Sequence, residues 1–325
     1  MESVKPELIY KGLFLVLMSN NNPEGKTYKP PTAPSHKISG GFILMAKRVE
    51  SPSSINAFKQ CPRKYYYQYI ARLPTLPNIH QVRGNIAHST LENFYDMDVS
   101  TFSEQDYAQK FRSGIQSLFL HYWNRSQPEL KKLNLNHDQE QFYFEETVLM
   151  LLNWTNHLIG EVGQMVQSKK ISVPEAFVQL TPIREQRFKS DRYSVQGFID
   201  AIHHLEDEVH IIDYKTNASF EFKEEIKLQL AIYSLLYFEK HGQMPSKVGI
   251  FFLRHKLKLM KTDPELLELA KREIELIHTH TSKTEQIDDY PRCVGPLCKW
   301  SSGQCDFFGT CKPFEQKGGM VIPKQ

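Results

Sequence analysis

The pattern of apolar and polar positions divides the chain into a helical part and a part that mixes strands with helices. Before Pro174, apolar residues recur at helical spacing in four stretches, at 51–74, 83–97, 103–124 and 137–169. We predict that each of these stretches is helical, with one apolar face turned towards a core. The last two form a helical block, residues 103–170, in which no chemical motif stands out.

The sequence also predicts where the first helices begin. Ser51 is a candidate N-cap, and Pro52 occupies the first helical position. Pro62 is disfavoured inside a helix, so it either kinks this segment or starts a second helix that ends near Ala71. The following helix is expected to be entered through Gly84.

After Pro174 the pattern changes to short stretches rich in β-branched and aromatic residues. Four of them are typical of strands, at 176–190, 193–205, 208–216 and 247–260. Helical patterns lie between the last two strands, at 222–242, and after them, at 263–281. Strands that flank a helix favour a mixed sheet with helices packed on it, so the predicted fold class is α/β.

The stretch HIIDYKTN, residues 210–217, places two charged side chains inside an apolar strand. Asp213 and Lys215 are two positions apart, so both project from the same face. Asp200 lies 13 positions before Asp213, and a hairpin turning near residues 205–208 would bring the two acids side by side. Adjacent carboxylates repel unless a cation lies between them or one is protonated. A simple ion pair of Asp213 with Lys215 is one interpretation, and a site for Mg²⁺ is the other.

Composition narrows the function only slightly. The chain has 325 residues, 40 basic and 37 acidic side chains, and a formal net charge of +3. This balance neither requires nor excludes a nucleic-acid partner, because local patches attract phosphates more than totals do. Hydrophobic residues make up 40% of the chain, which is ordinary for a globular protein and leaves one large domain or two smaller ones open.

Cysteine usage points to a metal or a cluster. The chain has five cysteines, an odd number, and four of them fall within the last 33 residues. This is not the pattern of a secreted disulfide framework. Four thiolates can hold a structural zinc ion or an iron–sulfur cluster, and the spacing does not choose between them.

The N-terminal residues are predicted to be an appendage. The apolar stretch 8–18 is shorter than the ~20 residues that a membrane-spanning helix needs, and residues 20–41 have the composition of a linker. We therefore interpret residues 1–44 as a flexible extension or an over-long reading of the gene. The expectation is a cytoplasmic protein without a membrane partner.

Five motifs together resemble the PD-(D/E)XK nuclease superfamily, and within it the RecB-like branch that includes CRISPR-adaptation-type nucleases with an iron–sulfur cluster. They span Ser51 to Cys311 and occur in the order of that branch. They are SPSSINAFKQCPRKYYYQY at 51–69, GNIAH ending in His88, GFID ending in Asp200, IIDYKT with Asp213 and Lys215, and QLAIY with Gln229 and Tyr233. Much of the superfamily has Glu where this chain has Asp213, and Asp is usual in the branch.

The resemblance implies a restriction-endonuclease-like mixed central sheet flanked by helices. The nuclease domain would span residues 45–314, with a helical insertion at 103–170, an iron–sulfur segment at 293–311 and a tail at 315–325. It also implies that the ligands of Mg²⁺ or Mn²⁺ are His88, Asp200 and Asp213. Lys215 would assist the attacking water or the transition state, while Gln229 and Tyr233 would shape the catalytic site or contact DNA.

The relatives with a [4Fe–4S] cluster have one cysteine near the start and three near the end, with five residues between the last two. The implied ligands here are Cys61, Cys298, Cys305 and Cys311. Their pattern has two residues between the first and second C-terminal cysteines, whereas KWSSGQ puts six between Cys298 and Cys305. We interpret KWSSGQ as a short insertion, which leaves Cys293 as the spare thiol unless it replaces Cys298.

The function implied by the resemblance is hydrolysis of DNA, with single-stranded DNA or free ends as substrate and exonuclease action. It would serve DNA repair, recombination or CRISPR-type processing, with helicase, repair or CRISPR proteins as partners. Two other classes remain open, a non-catalytic DNA-binding or assembly subunit with the same fold and a zinc-stapled interaction protein. Taken singly, His88 could pair with Glu92 one helical turn away, and Gln229 and Tyr233 could form a hydrogen bond at the edge of a core.

Overall fold

The computed structural model describes residues 48–300 and 303–314. The predicted N-terminal extension, residues 1–44, and the predicted tail, residues 315–325, lie outside these residues. Within the described part, none of the helices is both long and apolar enough to cross a membrane.

A five-stranded sheet in the order β1-β2-β3-β4-β5 forms the centre of the molecule. Its strands are β1 (Ile183–Ser190), β2 (Val195–Leu205), β3 (Glu208–Lys215), β4 (Lys247–Phe252) and β5 (Leu257–Lys261). Neighbouring strands are antiparallel except β3 and β4, which are parallel. The helix between β3 and β4 provides the crossover that a parallel pair requires. The predicted mixed α/β sheet is therefore confirmed.

Helices cover both faces of this sheet. In chain order they are α1 (Pro52–Gln60), α2 (Pro62–Tyr65), α3 (Ile79–Phe94), α4 (Tyr107–Arg125), α5 (Gln127–Lys132), α6 (His137–Lys169), α7 (Val173–Leu180), α8 (Glu224–His241), α9 (Pro264–Thr281) and α10 (Phe308–Cys311). A π-helical turn, Tyr66–Ile70, continues α2, and a 3₁₀ turn, Ile287–Asp289, follows α9.

The two faces have separate apolar cores. Helices α3, α4, α6 and α7 pack on the face that carries Ile212 and Tyr214 of β3. Helices α1, α8 and α9 pack on the opposite face, which carries Ile211 of β3 and Ile250 of β4. The helical block 103–170 is thus one layer of the fold, built on the sheet through residues such as Trp154.

The predicted start of the first helix is correct. The Ser51 side chain accepts a hydrogen bond from the backbone of Ser54, and Pro52 is the first helical residue. Pro62 starts a second helix, α2, as one of the two alternatives proposed. The next helix was predicted wrongly, because α3 begins at Ile79 with Asn78 as its N-cap, so Gly84 lies inside the helix.

Two strand predictions are also wrong. Residues 176–180, predicted to be part of a strand, belong to α7, because Ser172 and Glu175 form a capping box and Pro174 favours a helix start. Residues 247–260 form two strands rather than one, since the chain turns back between Phe252 and Leu257.

Candidate active site

Three acidic residues occupy opposed positions on β1, β2 and β3. The pairing of Ala201 with Ile212 places Asp200 opposite Asp213, as the spacing predicted. In the other direction, the pairing of β1 with β2 places Glu185 opposite Asp200. Directly opposed residues of adjacent strands are close neighbours, so the sheet itself concentrates negative charge at this point.

The regular alternation of the sheet is interrupted at the same place. Ile199 and Ile202 are three residues apart, yet both belong to the core beneath α8. Opposite this break, Glu185 has a φ of +46°, a left-handed conformation that is costly for a residue with a side chain. The interruption lets Glu185 and Asp200 approach a helix on the other face of the sheet.

Asp200 is held in a buried position with one regular hydrogen bond. Its Oδ2 atom accepts a hydrogen bond from the backbone N–H of Tyr214 at 2.8 Å. Burial and then the charge of Asp213 disfavour its ionised form, and they raise the pKa of Asp200 to about 7. A divalent cation would remove this penalty by neutralising both acids.

Asp213 connects the other predicted catalytic residues. Its Oδ1 atom accepts a hydrogen bond from Gln229 Nε2 at 2.7 Å. Its Oδ2 atom is buried and forms an ion pair with Lys215, with Nζ at 2.8 Å. Burial lowers the pKa of the Lys215 ammonium, but the attraction of Asp213 and Asp200 outweighs it and raises the pKa.

Tyr233 completes this network from α8. The Gln229 amide also donates to the Tyr233 hydroxyl at 2.8 Å. Tyr233 is only 5% exposed, and burial, followed by the charges of Asp213 and Asp200, raises its pKa well above the usual value. The Tyr233 hydroxyl therefore contacts the Gln229 amide, which in turn orients Asp213. Gln229 itself is half-buried and lies closer to solvent than Tyr233.

His88 enters the site from α3. Its Nδ1 atom lies 3.4 Å from Asp200 Oδ2 and 3.9 Å from Glu185 Oε1, while Nε2 lies 3.0 Å from the carbonyl oxygen of Tyr214. Burial opposes the protonated ring, but the charge of Asp200 prevails and raises the pKa of His88 to about 9. Glu92, the alternative partner one turn away, is not within ion-pair distance in the described structure.

The geometry of these donors fits a hard divalent cation. One donor atom each from His88, Glu185 and Asp200 lies within 4.8 Å of the other two, a spacing found for no other three His, Cys, Asp or Glu residues in the described part of the chain. Oxygen donors of this kind suit Mg²⁺ and Mn²⁺. A groove of about 430 Å³ opens onto the three residues and is also lined by Gln81 and Asn85 of α3.

The end of β3 is anchored by a charged network that the sequence pattern did not reveal. Glu146 of α6 forms ion pairs with both Arg83 and Arg254. Arg254 Nε donates to the carbonyl oxygen of Thr216 at 3.0 Å, and Arg83 Nη2 reaches the same oxygen at 3.5 Å. Thr216 follows Lys215, so this network fixes the backbone that carries the lysine.

All five cysteines line one cavity of about 230 Å³, although they come from opposite ends of the sequence. They are free thiols, one between α1 and α2 and four in the C-terminal segment, namely Cys61, Cys293, Cys298, Cys305 and Cys311. Burial first of all raises the pKa of three of these thiols, Cys293, Cys305 and Cys311. The backbone N–H of Arg63 donates to the Pro291 carbonyl at 3.1 Å, so the two chain segments already meet beside the thiols.

The described residues between Cys298 and Cys305 form the two paired strands of a hairpin. Its strands are β6 (Lys299–Trp300) and β7 (Gly303–Gln304). At its base the Cys305 N–H donates to the Cys298 carbonyl at 3.0 Å. The hairpin therefore keeps the two cysteines adjacent despite the longer spacing between them.

A protein-family model for the PD-(D/E)XK nuclease superfamily matches residues 50–312, which are most of the chain. The chain belongs to the PD-(D/E)XK nuclease superfamily. The five-stranded mixed sheet flanked by helices is consistent with the restriction-endonuclease-like fold of that superfamily.

One solved structure similar to this member of the superfamily is a protein from Eubacterium rectale that is named as a candidate exonuclease. It is 10% identical, the match covers 89% of this chain and 97% of that one, and the TM-score is 0.46. A comparison with curated proteins gave no significant match.

Two parts of this superfamily member's site were missed by the sequence reasoning. Glu185 was predictable from the spacing of a second hairpin. A turn at residues 191–194 pairs Ser190 with Val195, and this register places Glu185 opposite Asp200. The contact of Glu146 with Arg83 and Arg254 carries no comparable signal, because the three residues are far apart in sequence.

Proposed function

We propose that this protein is a divalent-metal-dependent DNA nuclease that hydrolyses phosphodiester bonds at the Asp200–Asp213 site. The observation that carries the proposal is the strand register that places Asp200, which His88 contacts, opposite Asp213, which Lys215 contacts. The family match supports a nuclease, and the arrangement supports the residue roles given below.

The metal ligands are Asp200, Asp213 and His88, with Glu185 as a further candidate. When bound, Mg²⁺ or Mn²⁺ would supply an activated water and neutralise charge on the phosphate. The fit is supported by the raised pKa of Asp200 beside Asp213. The hydrogen bond of His88 Nε2 to the Tyr214 carbonyl would leave Nδ1 as the ligand atom.

Lys215 acts on the reacting phosphate rather than on the metal. Its side chain is 28% exposed, and its ammonium lies beside Asp213, where a phosphate bound between the acids would meet it. A point charge at this position stabilises the developing negative charge on the phosphate oxygens. Gln229 orients Asp213, and Tyr233 in turn orients Gln229 from its buried position.

The substrate we infer is single-stranded DNA with a free end, cleaved as an exonuclease would cleave it. Repair, recombination or CRISPR-type processing is the corresponding process, with a helicase or another repair or CRISPR protein as partner. The helical layer 103–170 would restrict access to the strand path and so impose the need for an end. The grounds for these finer assignments are the motifs of the RecB-like branch.

A [4Fe–4S] cluster bound by Cys61, Cys298, Cys305 and Cys311 is the second part of the proposal. Its grounds are the cysteine pattern of the RecB-like branch and the placement of all four thiols around one cavity. The hairpin between Cys298 and Cys305 supports the interpretation of KWSSGQ as an insertion.

The test is cleavage of single-stranded DNA labelled at the 5′ or the 3′ end, in Mg²⁺, Ca²⁺ or EDTA. We expect cleavage in Mg²⁺ alone, with products that reveal the polarity. A circular single strand in the same assay tests the need for an end. Binding without cleavage in any divalent ion, including Mn²⁺, would contradict the nuclease and favour the non-catalytic DNA-binding subunit.

A further inference from the structure

A second polar surface lies on the same face of the sheet as Asp213, towards the β5 edge. Asp213 is directly opposite Ile250 of β4, and Ile250 is directly opposite Lys258 of β5. Residues opposed in this way project from one face. Since adjacent strands are about 4.8 Å apart, the backbone of Lys258 lies about 10 Å from that of Asp213.

The next row of the sheet repeats this arrangement. Lys215 is opposite Phe252 of β4, and the Phe252 N–H donates to the carbonyl oxygen of Lys256 at 3.2 Å. Asp213 and Lys215 therefore have Lys258 and Lys256 as their counterparts on the far side of β4. Phe252 and Ile250, between them, are fully buried.

The loop after β3 covers these buried residues with an aromatic ring. Phe220 packs edge-on against Phe252 with ring centroids 5.2 Å apart. Lys256 and Lys258 place their ammonium groups 5.9 Å and 5.3 Å from the centre of the Phe220 ring, and Lys258 is also 4.9 Å from that of Phe222. Aromatic faces hold such cations without neutralising them.

Both lysines keep their charge available. Lys256 is exposed and Lys258 is half-buried. In the part of the chain that the structure describes, no carboxylate lies within 4.0 Å of either ammonium group, whereas Lys215 and Lys247 are each paired with an acid. Unpaired lysines beside an aromatic ring are the groups that single-stranded nucleic acid binds through its phosphates and bases.

We propose that Phe220, Lys256 and Lys258 form a strand-binding patch for single-stranded DNA. The inference rests on the proposed function, because it takes the substrate to be the strand that is cut at Asp213. The patch binds phosphates on one side of the cleaved bond, a short way along the same strand. Its lysines and the metal site would thus hold two parts of one continuous strand.

The experiment measures the affinity for a single-stranded oligonucleotide in Ca²⁺ at several KCl concentrations. Two lost phosphate contacts should make the slope of log K against log [KCl] shallower by about 1.4, from about 0.7 for each contact. We expect this change in the double variant Lys256→Gln, Lys258→Gln. The matched control is Lys240→Gln, an exposed lysine at the far end of α8 that lies 4.5 Å from the Phe188 ring.

Hydrolysis of bis(p-nitrophenyl) phosphate in Mn²⁺ distinguishes failure of the strand-binding patch from failure of the proposed nuclease function. This small diester cannot extend from the metal site to the patch, so its hydrolysis should be equal in wild type and double variant. A wild type that hydrolyses the diester but shows the same salt slope as the double variant would overturn the patch. A wild type that hydrolyses neither this diester nor the single-stranded oligonucleotide would overturn the proposed function. The salt slopes of DNA binding would still decide whether the patch exists.

Lysines on an edge strand can also serve only to prevent pairing with other sheets. In that case the double variant would self-associate, with DNA binding by its monomer unchanged. Sedimentation of both proteins alongside the binding experiment detects this outcome, which would likewise overturn the patch.

Discussion

Lys215 is the residue whose position most directly suggests a role in the transition state. It ends β3, its ammonium lies 2.8 Å from Asp213 Oδ2, and the Arg83–Glu146–Arg254 network fixes the residue after it. A cation beside the metal ligands repels the metal, so its purpose is not to hold the ion. Its natural counterpart is the phosphate.

For Lys215→Ala we therefore expect the maximal cleavage rate to fall by about 10²–10³-fold. The Mg²⁺ concentration that gives half the maximal rate should stay the same or decrease. Rates over a Mg²⁺ titration measure both quantities, with the exposed Lys227→Ala as control. A variant whose full rate returns at high Mg²⁺ would show that Lys215 only supports metal binding.

Glu185 is the second residue whose role can be tested separately. It shares the groove with Glu92, but only Glu185 has an oxygen within 4.8 Å of both the His88 and Asp200 donors. Its left-handed backbone adds a conformational cost that a ligand position would justify.

We expect Glu185→Gln to weaken Mn²⁺ binding about tenfold or more, as loss of a group near a metal typically does. Glu92→Gln should leave the affinity unchanged, and calorimetric titration of the metal-free protein measures both. Equal effects of the two substitutions would mean that general negative charge, not ligation by Glu185, attracts the ion.

How much of the site the sequence predicts depends on how local the pattern is. Asp213 and Lys215 follow from strand alternation, and their relation to Asp200 follows from one short hairpin. Glu185 depends on a second hairpin, between β1 and β2, at the point where the in–out alternation of side chains is interrupted. The role of Arg254 depends on a helix some hundred residues away, which no local pattern reveals.

At the scale of elements, the pairing of β4 with β5 depends on a glycine. A Cβ atom at Gly249 would lie 2.2 Å from the Lys258 carbonyl oxygen and 3.0 Å from Leu259 Cα. These are backbone atoms of the partner strand, so they cannot move aside without separating the two strands. Gly160 in α6 offers a contrast, since a Cβ there would meet nothing within 4 Å.

We expect Gly249→Ala to lower the free energy of unfolding by about 1–3 kcal/mol through overpacking. Gly160→Ala should raise it by about 0.5–1 kcal/mol, because alanine favours a helix interior. Urea unfolding of the two variants and wild type gives the comparison. A Gly249→Ala protein as stable as wild type would mean that β5 is not tightly paired at this point.

The two errors at this scale have different physical origins. Residues 176–180 have strand-like side chains, but a capping box and a proline decide in favour of helix α7. The turn between β4 and β5 lacks glycine and proline, so the sequence gives no break within 247–260; contacts of the turn with neighbouring segments, such as His255 Nε2 at 2.9 Å from the Ala218 carbonyl, fix it instead. Local capping thus decided the first case, and tertiary contacts decided the second.

For the whole molecule, the cysteine cavity joins the first helices to the C-terminal segment. Cys61 is the one described cysteine from the N-terminal side, so a cluster would close a loop of more than two hundred residues through it. Closing so long a loop removes considerable entropy from the unfolded chain. The cysteine pattern predicted this grouping of thiols. Only the structure shows that a hairpin brings Cys298 and Cys305 together despite their longer spacing.

We expect anaerobically purified protein to be brown, and Cys61→Ser to lose iron and unfold at a lower temperature. Cys293→Ser should keep both iron and stability if this thiol is the spare one. Iron analysis and thermal unfolding of the two variants check the prediction. Iron lost in Cys293→Ser but retained in Cys298→Ser would exchange the two ligands, and a colourless protein with one zinc ion would exclude the cluster.

The most direct test of the central claim is single-turnover cleavage of end-labelled single-stranded DNA in Mg²⁺ by wild type and Asp213→Ala. Asp213 is the acid that contacts both Lys215 and Gln229. We expect no cleavage by the variant and an unchanged affinity for the same DNA in Ca²⁺, which shows that the fold is intact. Cleavage at the wild-type rate by Asp213→Ala would contradict the assignment of this site as the nuclease centre.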